Sequence, residues 1–173
     1  MESSVQSSPS PAVVAAGIFE ALGHRDLDAL EGLQHDEVVD DFIAVGIFRG
    51  RKAVRGFFEE LFGALPDATL AAERIHADGQ FVTVQWQIAG IFSGGPFQGI
   101  RATGRRVTLR GVDVMHIVDS RLLDNTIYYD GLSFARQIGL LPTAGSRADR
   151  ALISAFNAQT VARSAMRLPP RRR

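Results

Sequence analysis

The chain has 173 residues and a mass of 18.8 kDa, enough for one domain, and 46% of its residues are hydrophobic against 22% charged. We therefore expect a packed core. Nineteen basic and nineteen acidic residues cancel, which argues against nucleic acid as a partner. Because the chain has no cysteine, disulfides, a thiolate nucleophile and a zinc-thiolate site are excluded.

The N-terminal segment has neither the basic start nor the apolar stretch of a signal peptide, and no run of 18 apolar residues follows. We expect a cytoplasmic protein without a membrane span. Residues 1–11 are predicted to be a flexible arm, with Ser10 and Pro11 opening the first helix. The predicted helices are 11–22, a short one after Asp26, 54–65, 131–138 and 146–167; the predicted strands are 37–42, 69–77, 80–89, 107–118 and 121–129.

Helices followed by mainly antiparallel strands predict an α+β domain over residues 12–142, a cone whose curved sheet carries the helices on its concave face around a pocket. The Gly-rich segment 90–104 is predicted to be a mobile rim. Residues 143–173 are predicted to be a basic helical tail, with Leu152, Ala155 and Phe156 as its apolar side. Seven arginines and one acid give the chain +6 from Arg147 onward and −6 before it. Either the tail tethers an anionic surface or partner, or it is a solvated, partly disordered C-terminus.

Asp113 is the most informative single residue. In the strand 107–118 it shares its face with Leu109, Met115 and Ile117, because successive strand side chains point to opposite faces. An ionised carboxylate is costly to bury there, so the group either finds a partner, such as Arg110 or Arg121, or keeps its proton. A protonated acid could donate a hydrogen bond to a developing oxyanion.

Four stretches resemble the superfamily of nuclear transport factor 2, ketosteroid isomerase and the SnoaL-like polyketide cyclases. They span about residues 12–142, and the resemblance implies the cone-shaped fold. Since this fold hosts many activities, it specifies the reaction poorly. The stretches are Arg25-Asp26-Leu27-Asp28-Ala29-Leu30, Phe48-Arg49-Gly50-Arg51, Gly111-Val112-Asp113-Val114 and Tyr128-Tyr129-Asp130-Gly131.

The two enzyme branches imply different site residues. Ketosteroid isomerases place a general base where this chain has Asp41 and a protonated, oxyanion-binding acid where it has Asp113. Their oxyanion-hole tyrosine is missing, because the first helix offers only Ile18 and Phe19. The SnoaL-like cyclases, which close a ring by intramolecular aldol condensation, use an acid and a histidine that Asp130 and His116 resemble.

Strand geometry bears on this choice. If Asp119 and Ser120 form a two-residue turn, Asp113 faces Thr126, and Asp124, Tyr128 and Asp130 share its face, whereas His116 points away. This geometry favours Asp113 with Asp130 over the pairing with His116, and the resemblance to ketosteroid isomerases adds Asp41, so the catalytic candidates are Asp41, Asp113 and Asp130. Asp41 could instead be a solvent-facing acid, and Asp130 could cap the next helix.

An apolar pocket is predicted from five side chains that could equally be plain core. The four histidines have no metal-ligand spacing, so we expect neither metal nor cofactor. Val112, Val114 and Val118 on the other face of their strand suggest a homodimer. The predicted pocket residues are Phe19, Phe58, Trp86, Met115 and Tyr128.

These observations predict a cofactor-independent enzyme that uses Asp carboxyls on a small apolar, enolisable carbonyl compound. Cyclisation of a polyketide-like ester is the first choice and double-bond isomerisation the second. An epoxide hydrolase would need an Arg/Asp pair that the strand carrying Gln85 and Gln87 does not supply. A non-catalytic ligand-binding or dimerisation module is the remaining alternative.

Overall fold

The computed structural model describes residues 9–167. Residues 1–8 of the predicted arm and 168–173 of the predicted tail lie outside the described residues. The helices are α1 (Pro11–His24), α2 (Leu27–Gly32), α3 (Arg51–Ala64), α4 (Gly131–Gln137) and α5 (Arg147–Arg167); the strands are β1 (Gln34–Phe42), β2 (Gly46–Arg49), β3 (Thr69–Asp78), β4 (Phe81–Phe92), β5 (Arg105–Val118) and β6 (Arg121–Tyr129).

The six strands form one curved sheet in the order β2-β1-β6-β5-β4-β3. β1 runs parallel to β6, and every other neighbouring pair is antiparallel. The predicted α+β class is thus confirmed. The parallel pair brings the start of the chain beside its last strand, so residues distant in sequence meet in the middle of the sheet.

Helices α1 and α3 cover one face of the sheet because each carries an apolar stripe. On α1 the stripe is Val14, Ile18 and Leu22, and on α3 it includes Phe57 and Phe58, all buried. Helical side chains spaced three or four residues apart lie on one face. The core therefore lies between these two helices and the concave face of the sheet.

Both predicted hairpins are present. Asp78 pairs with Phe81, so Gly79 and Gln80 form the loop, one residue later than predicted. At the second hairpin, Asp119 and Ser120 both have positive φ, 47° and 59°. Such angles at both central residues are those of a type I′ turn, whose twist matches the flanking strands.

The segment after β4 is more regular than predicted. β4 continues to Phe92, and the following glycines are bonded to the end of α3: the amides of Gly94 and Gly95 donate to the carbonyls of Ala64 and Gly63. A Cβ on Gly94 would lie 2.0 Å from the Gly63 oxygen, so only glycine fits this close approach. Residues predicted as a free rim are thus attached to the helix layer.

Other boundaries also differ from the sequence prediction. β1 begins at Gln34 rather than at residue 37, α3 begins at Arg51 rather than at residue 54, and the edge strand β2 was not among the predicted strands. β2 is short and exposed, so its pattern carried little apolar signal.

Helix α5 stands apart from the core. Its residues 151–164 are all exposed, including Phe156 at 66%, so the predicted apolar side contacts no core surface. Near its start Asp149 lies 3.8 Å from Arg136. Within the described residues, no helix combines the length and apolar character needed to cross a membrane.

Candidate active site

A cavity of about 80 Å³ lies between the helices and the concave face of the sheet. One buried water needs roughly 10–15 Å³, so the cavity can hold several waters or a small organic group. Its wall is mostly aromatic and aliphatic, and its polar groups are few. They are Gln34, Asp40, Asp113, Asn125, the indole of Trp86 and the phenol of Tyr129.

Asp113 lies in the middle of β5 with both carboxyl oxygens bonded. The Trp86 indole Nε1–H donates to Oδ1 at 2.6 Å, and the Asn125 amide donates to Oδ2 at 2.9 Å. The side chain is 6% exposed. The predicted partner Arg110 is elsewhere, bonded to Gln87 and Glu73. Asp113 is therefore buried without a guanidinium, held by two neutral donors.

A glycine makes the contact between Trp86 and Asp113 geometrically feasible. Gly111 pairs with Trp86 across β4 and β5, and a Cβ at Gly111 would lie 2.2 Å from an atom of the indole ring. Real Cβ atoms do not approach other atoms so closely. Gly111 thus leaves space for the indole to lie over β5, where its N–H reaches Asp113 two residues on.

Asp40 is the second carboxyl on the cavity, and the sequence analysis missed it. It lies on β1, is 3% exposed, and pairs with Asn125 of β6 in the parallel register. Its Oδ1 has no hydrogen-bond partner among the described residues. Asn125 therefore lies beside Asp40 in the sheet while donating to Asp113, which places the two acids around one amide.

The carboxyls of Asp40 and Asp113 differ in pKa. Burial, together with the charge of Asp113, raises the pKa of Asp40 from 3.8 to about 8. Burial also raises the pKa of Asp113, but the Asn125 and Trp86 hydrogen bonds oppose it, and the value is about 6. Hydrogen bonds donated to a carboxylate favour its charged form. Of the two carboxyls, Asp40 therefore holds its proton more tightly, because Asp40 Oδ1 has no donor among the described residues while two donors face Asp113.

The sequence prediction made Asp113 the protonated acid; burial does raise its pKa, but the rise is larger at Asp40. The carboxylate form of Asp113 is the better stabilised of the two, because two hydrogen-bond donors face it. Asp41, the predicted base, does not line the cavity. It follows Asp40 on β1, and adjacent strand residues point to opposite faces.

The prediction of which β6 side chains face the cavity is also wrong, because the pairing of β5 with β6 differs from the predicted register by one residue. Val118↔Arg121 and Ile117↔Leu122 pair as expected, but the register shifts beyond them, and Asp113 faces Ile127 instead of Thr126. One extra residue in a strand turns all later side chains to the other face. The shift lies near the turn and not at Gly111, where the pairing is continuous.

This bulge decides which β6 side chains reach the cavity. Asn125, Ile127 and Tyr129 line it, whereas Tyr128 is 50% exposed on the outer face. Asp130 accepts a hydrogen bond from the Ser133 amide and caps α4, as the alternative interpretation proposed. The other predicted pocket residues, Phe19, Phe58, Trp86 and Met115, do line the cavity.

His116 points away from the cavity, as predicted. Its ring stacks on Phe81 at 4.7 Å between centroids, and its Nδ1 lies 3.0 Å from Asp124 Oδ2. These groups lie on the outer face of the sheet. A histidine partner for Asp113 is therefore not part of the site.

Comparisons with known proteins identify the fold and the family of the chain. The model of the SnoaL-like polyketide cyclase family matches residues 12–138. A proposed SnoaL-like polyketide cyclase from Jannaschia sp. CCS1 superposes with a TM-score of 0.69 at 20% identity, over 82% of this chain and 99% of the other. AclR from Streptomyces galilaeus, a proposed hydroxylase, gives 0.68 at 17% identity over 92% and 98%.

IdmH from Streptomyces antibioticus, a proposed polyketide cyclase, gives a TM-score of 0.65 at 23% identity over 76% of this chain and 99% of the other. No curated protein sequence matches significantly. The fold is that of the nuclear transport factor 2-like proteins, which include proteins with a ketosteroid isomerase-like fold. Since the family model covers most of its length, the chain belongs to the SnoaL-like polyketide cyclase family.

Proposed function

We propose that the protein is a cofactor-independent enzyme that removes an acidic C–H proton beside a carbonyl group and stabilises the resulting enolate. Asp113 is the base, and protonated Asp40 is the hydrogen-bond donor to the enolate oxygen. One observation carries the proposal: two buried carboxyls with pKa values of about 6 and 8 line one apolar cavity. A pair whose environments separate its pKa values can supply a base and an acid at the same pH.

The apolar wall contributes by excluding water from the reacting groups. Phe58, Phe19 and Met115 are buried and line the cavity. In such a dry site a hydrogen bond to a developing oxyanion is stronger than in water. The Tyr129 phenol also lines the cavity, and burial raises its pKa, so it stays a neutral O–H that can orient a carbonyl.

The chemical steps balance with these groups alone. Asp113 takes the α-proton, and the enolate oxygen accepts a hydrogen bond from Asp40. In an intramolecular aldol reaction the enolate carbon then attacks a second carbonyl of the same molecule, forming the C–C bond. The new alkoxide takes the proton from Asp113, which returns to its carboxylate form.

Cyclisation of a small apolar carbonyl compound of the polyketide-ester type is the first choice, because the family model describes polyketide cyclases. Double-bond isomerisation is the second. It needs only that Asp113 return the proton to a different carbon while Asp40 holds the oxygen. The pocket chemistry of both reactions is the same, so the first test addresses the shared proton transfer.

That test is hydrogen–deuterium exchange at the α-carbon of small enolisable esters and cyclic enones in D₂O, followed by proton NMR. Asp113→Asn should lower the enzyme-catalysed exchange rate about 10²–10⁴-fold, the usual contribution of a general base. Asp41→Asn is the matched control and should leave it unchanged. Equal rates in Asp113→Asn and wild type would favour the non-catalytic ligand-binding alternative.

We also propose that a second copy of the chain covers the outer face of the sheet. Val114, Tyr128 and Phe81 are exposed there at 39%, 50% and 57%, and Val114 belongs to the apolar row that suggested a dimer. Exposed apolar patches favour association. Light scattering should give twice the monomer mass, and Val114→Glu should shift it to the monomer value; a monomeric wild type would contradict the proposal.

A further inference from the structure

All ionisable groups that line the cavity are acidic. Its ionisable groups are the carboxyls of Asp40 and Asp113 and the phenol of Tyr129, and the lining residues, all within the described chain, contain no Lys, Arg or His. An anionic head group would thus meet acids without a compensating cation. A neutral or cationic group is favoured instead.

The same lining is rich in aromatic rings. Several are in mutual contact: Phe57 lies 4.0 Å from Phe42 and 5.3 Å from Phe58 between ring centroids. Aromatic faces attract cations, most strongly where water is excluded. The aromatic residues lining the cavity are Phe19, Phe42, Phe57, Phe58, Trp86, Phe97, Tyr129 and Phe134.

Three buried oxygens on the lining have no donor among the described residues: Gln34 Oε1, Asp40 Oδ1 and Asn125 Oδ1. Buried acceptors in proteins are normally hydrogen-bonded. A donor from solvent or from a ligand would satisfy them. Asp113 already accepts two bonds, so Asp40 is the carboxyl with room for a new donor.

We propose that the cavity binds a small organic ammonium group, whose N–H bonds reach Asp40 and whose alkyl substituents lie against the aromatic rings. The ammonium group supplies the donors that the orphan oxygens lack and the positive charge that the lining lacks. The proposal uses the cavity of the proposed enzyme but none of its reaction steps. A failure of the cavity to bind an ammonium ion can therefore be distinguished from a failure of the proposed proton transfer.

Binding should be linked to the ionisation of Asp40. The titratable groups that face it are Asp113 from β5 and Tyr129 from β6, while α1, α3 and α4 contribute only apolar side chains to the lining. Since the pKa of Asp40 is about 8, an ammonium ion displaces a proton at neutral pH. Affinity should thus rise between pH 6 and pH 8 and then level off.

The test uses tert-butylammonium chloride and its neutral isostere, tert-butanol, as probes. Trp86 is the only tryptophan in the chain and borders the cavity, so its fluorescence and its indole N–H resonance report binding at this place. At pH 8 the ammonium ion should bind at least about tenfold more tightly than the alcohol. Asp40→Asn should remove that preference, and Asp41→Asn should retain it.

Equal affinity of the two probes would show a site for neutral donors and overturn the proposal. So would a failure of both probes to change either Trp86 signal, or a preference that survives in a folded Asp40→Asn variant. If Asp41→Asn also lost the preference, the effect would come from overall charge and not from the cavity. A decrease in ammonium affinity from pH 6 to pH 8 would contradict the assigned contact with Asp40.

Discussion

Asp40 and Asp41 are adjacent in the chain and chemically identical, yet the fold separates them completely. Asp40 points into the aromatic cavity and is 3% exposed, whereas Asp41 lies on the outer side of the same strand. Burial raises the pKa of Asp40 to about 8. The comparison teaches that the proton chemistry of an acid here depends on the face of the sheet it occupies, not on its residue type.

The same contrast holds between Asp113 and Asp124. Asp113 is bonded to an indole and an amide inside the cavity. Asp124, on the neighbouring strand, pairs with His116 on the outer face. Asp113 thus has neutral donors in the interior, whereas Asp124 has a histidine partner at the surface. Of these two acids, we therefore expect only Asp113 to take part in the chemistry of the cavity.

The largest expected difference between the two faces is in activity. Asp40→Leu removes the proposed hydrogen-bond donor and should reduce α-proton exchange by about 10²–10³-fold, while Asp124→Asn should have almost no effect. The measurement is the NMR exchange rate at pH 7. Wild-type activity in a folded Asp40→Leu variant would place the oxyanion donor elsewhere.

The second difference is in stability. Asp40 titrates near 3.8 in the unfolded chain and at about 8 in the fold, so the folded state binds the proton more tightly, and its stability falls as pH rises from about 4 through 8. At pH 8.5 Asp40→Asn should therefore raise the free energy of unfolding by more than about 1.4 kcal/mol, the value of one pKa unit. Urea denaturation measures this.

Asp41→Asn serves as the control for stability, because Asp41 is partly exposed and does not line the cavity. The expected change is within about 0.5 kcal/mol at the same pH. At pH 4 the Asp40→Asn variant should approach wild type, because both folded and unfolded Asp40 are largely protonated below that pH. A gain of equal size at pH 4 and pH 8.5 would mean that ionisation is not its cause.

The third prediction concerns the packing beneath the indole. Gly111→Ala introduces a Cβ where Trp86 lies, and it should cost about 1–3 kcal/mol of stability, the usual effect of overpacking. Displacing the indole also weakens its bond to Asp113. Gly79→Ala, in a turn with nothing within 4 Å of its Cβ, is a control that strains the backbone but leaves Trp86 in place.

The two glycine variants should separate in their pH profiles. Gly111→Ala should move the acidic limb of the exchange activity to higher pH, and Gly79→Ala should not. An unchanged limb in a folded Gly111→Ala protein would show that Gly111 affects packing alone.

The smallest predicted effect isolates one hydrogen bond. Trp86→Phe keeps an aromatic ring but removes the N–H that lowers the pKa of Asp113. The pKa of Asp113 should then rise by about one unit, since a hydrogen bond to a charged group is worth roughly 1.5–3 kcal/mol. The acidic limb of the pH–rate profile should shift upward by the same amount; no shift would contradict a carboxylate at Asp113.

Much of the cavity could be predicted from strand periodicity. Asp113 was found because its neighbours two residues away are apolar, and Asp40 satisfies the same rule, with Val38 and Phe42 buried on its face. Asp41 was chosen because the spacing of a related family pointed to it. The periodic signal was thus present in the sequence but was given less weight than the resemblance.

Asn125 and Tyr129 could not be predicted in the same way. Their orientation depends on one extra residue near Leu123, where the register shifts. The turn residues Asp119 and Ser120 fix where the hairpin begins, but no local pattern marks the bulge. A one-residue slip exchanges the two faces of a strand, which is why Tyr128 and Asp130 were predicted to face the cavity.

The most direct test of the central claim follows the indole N–H resonance of Trp86 from pH 4 to pH 10. That proton is donated to Asp113, and Asp113 is coupled to Asp40. Wild type should show two inflections, near pH 6 and near pH 8, and Asp40→Asn should lose the upper one. A resonance that stays constant between pH 5 and pH 9 would contradict the account, because neither carboxyl would then exchange its proton in the range where the proposed chemistry requires it.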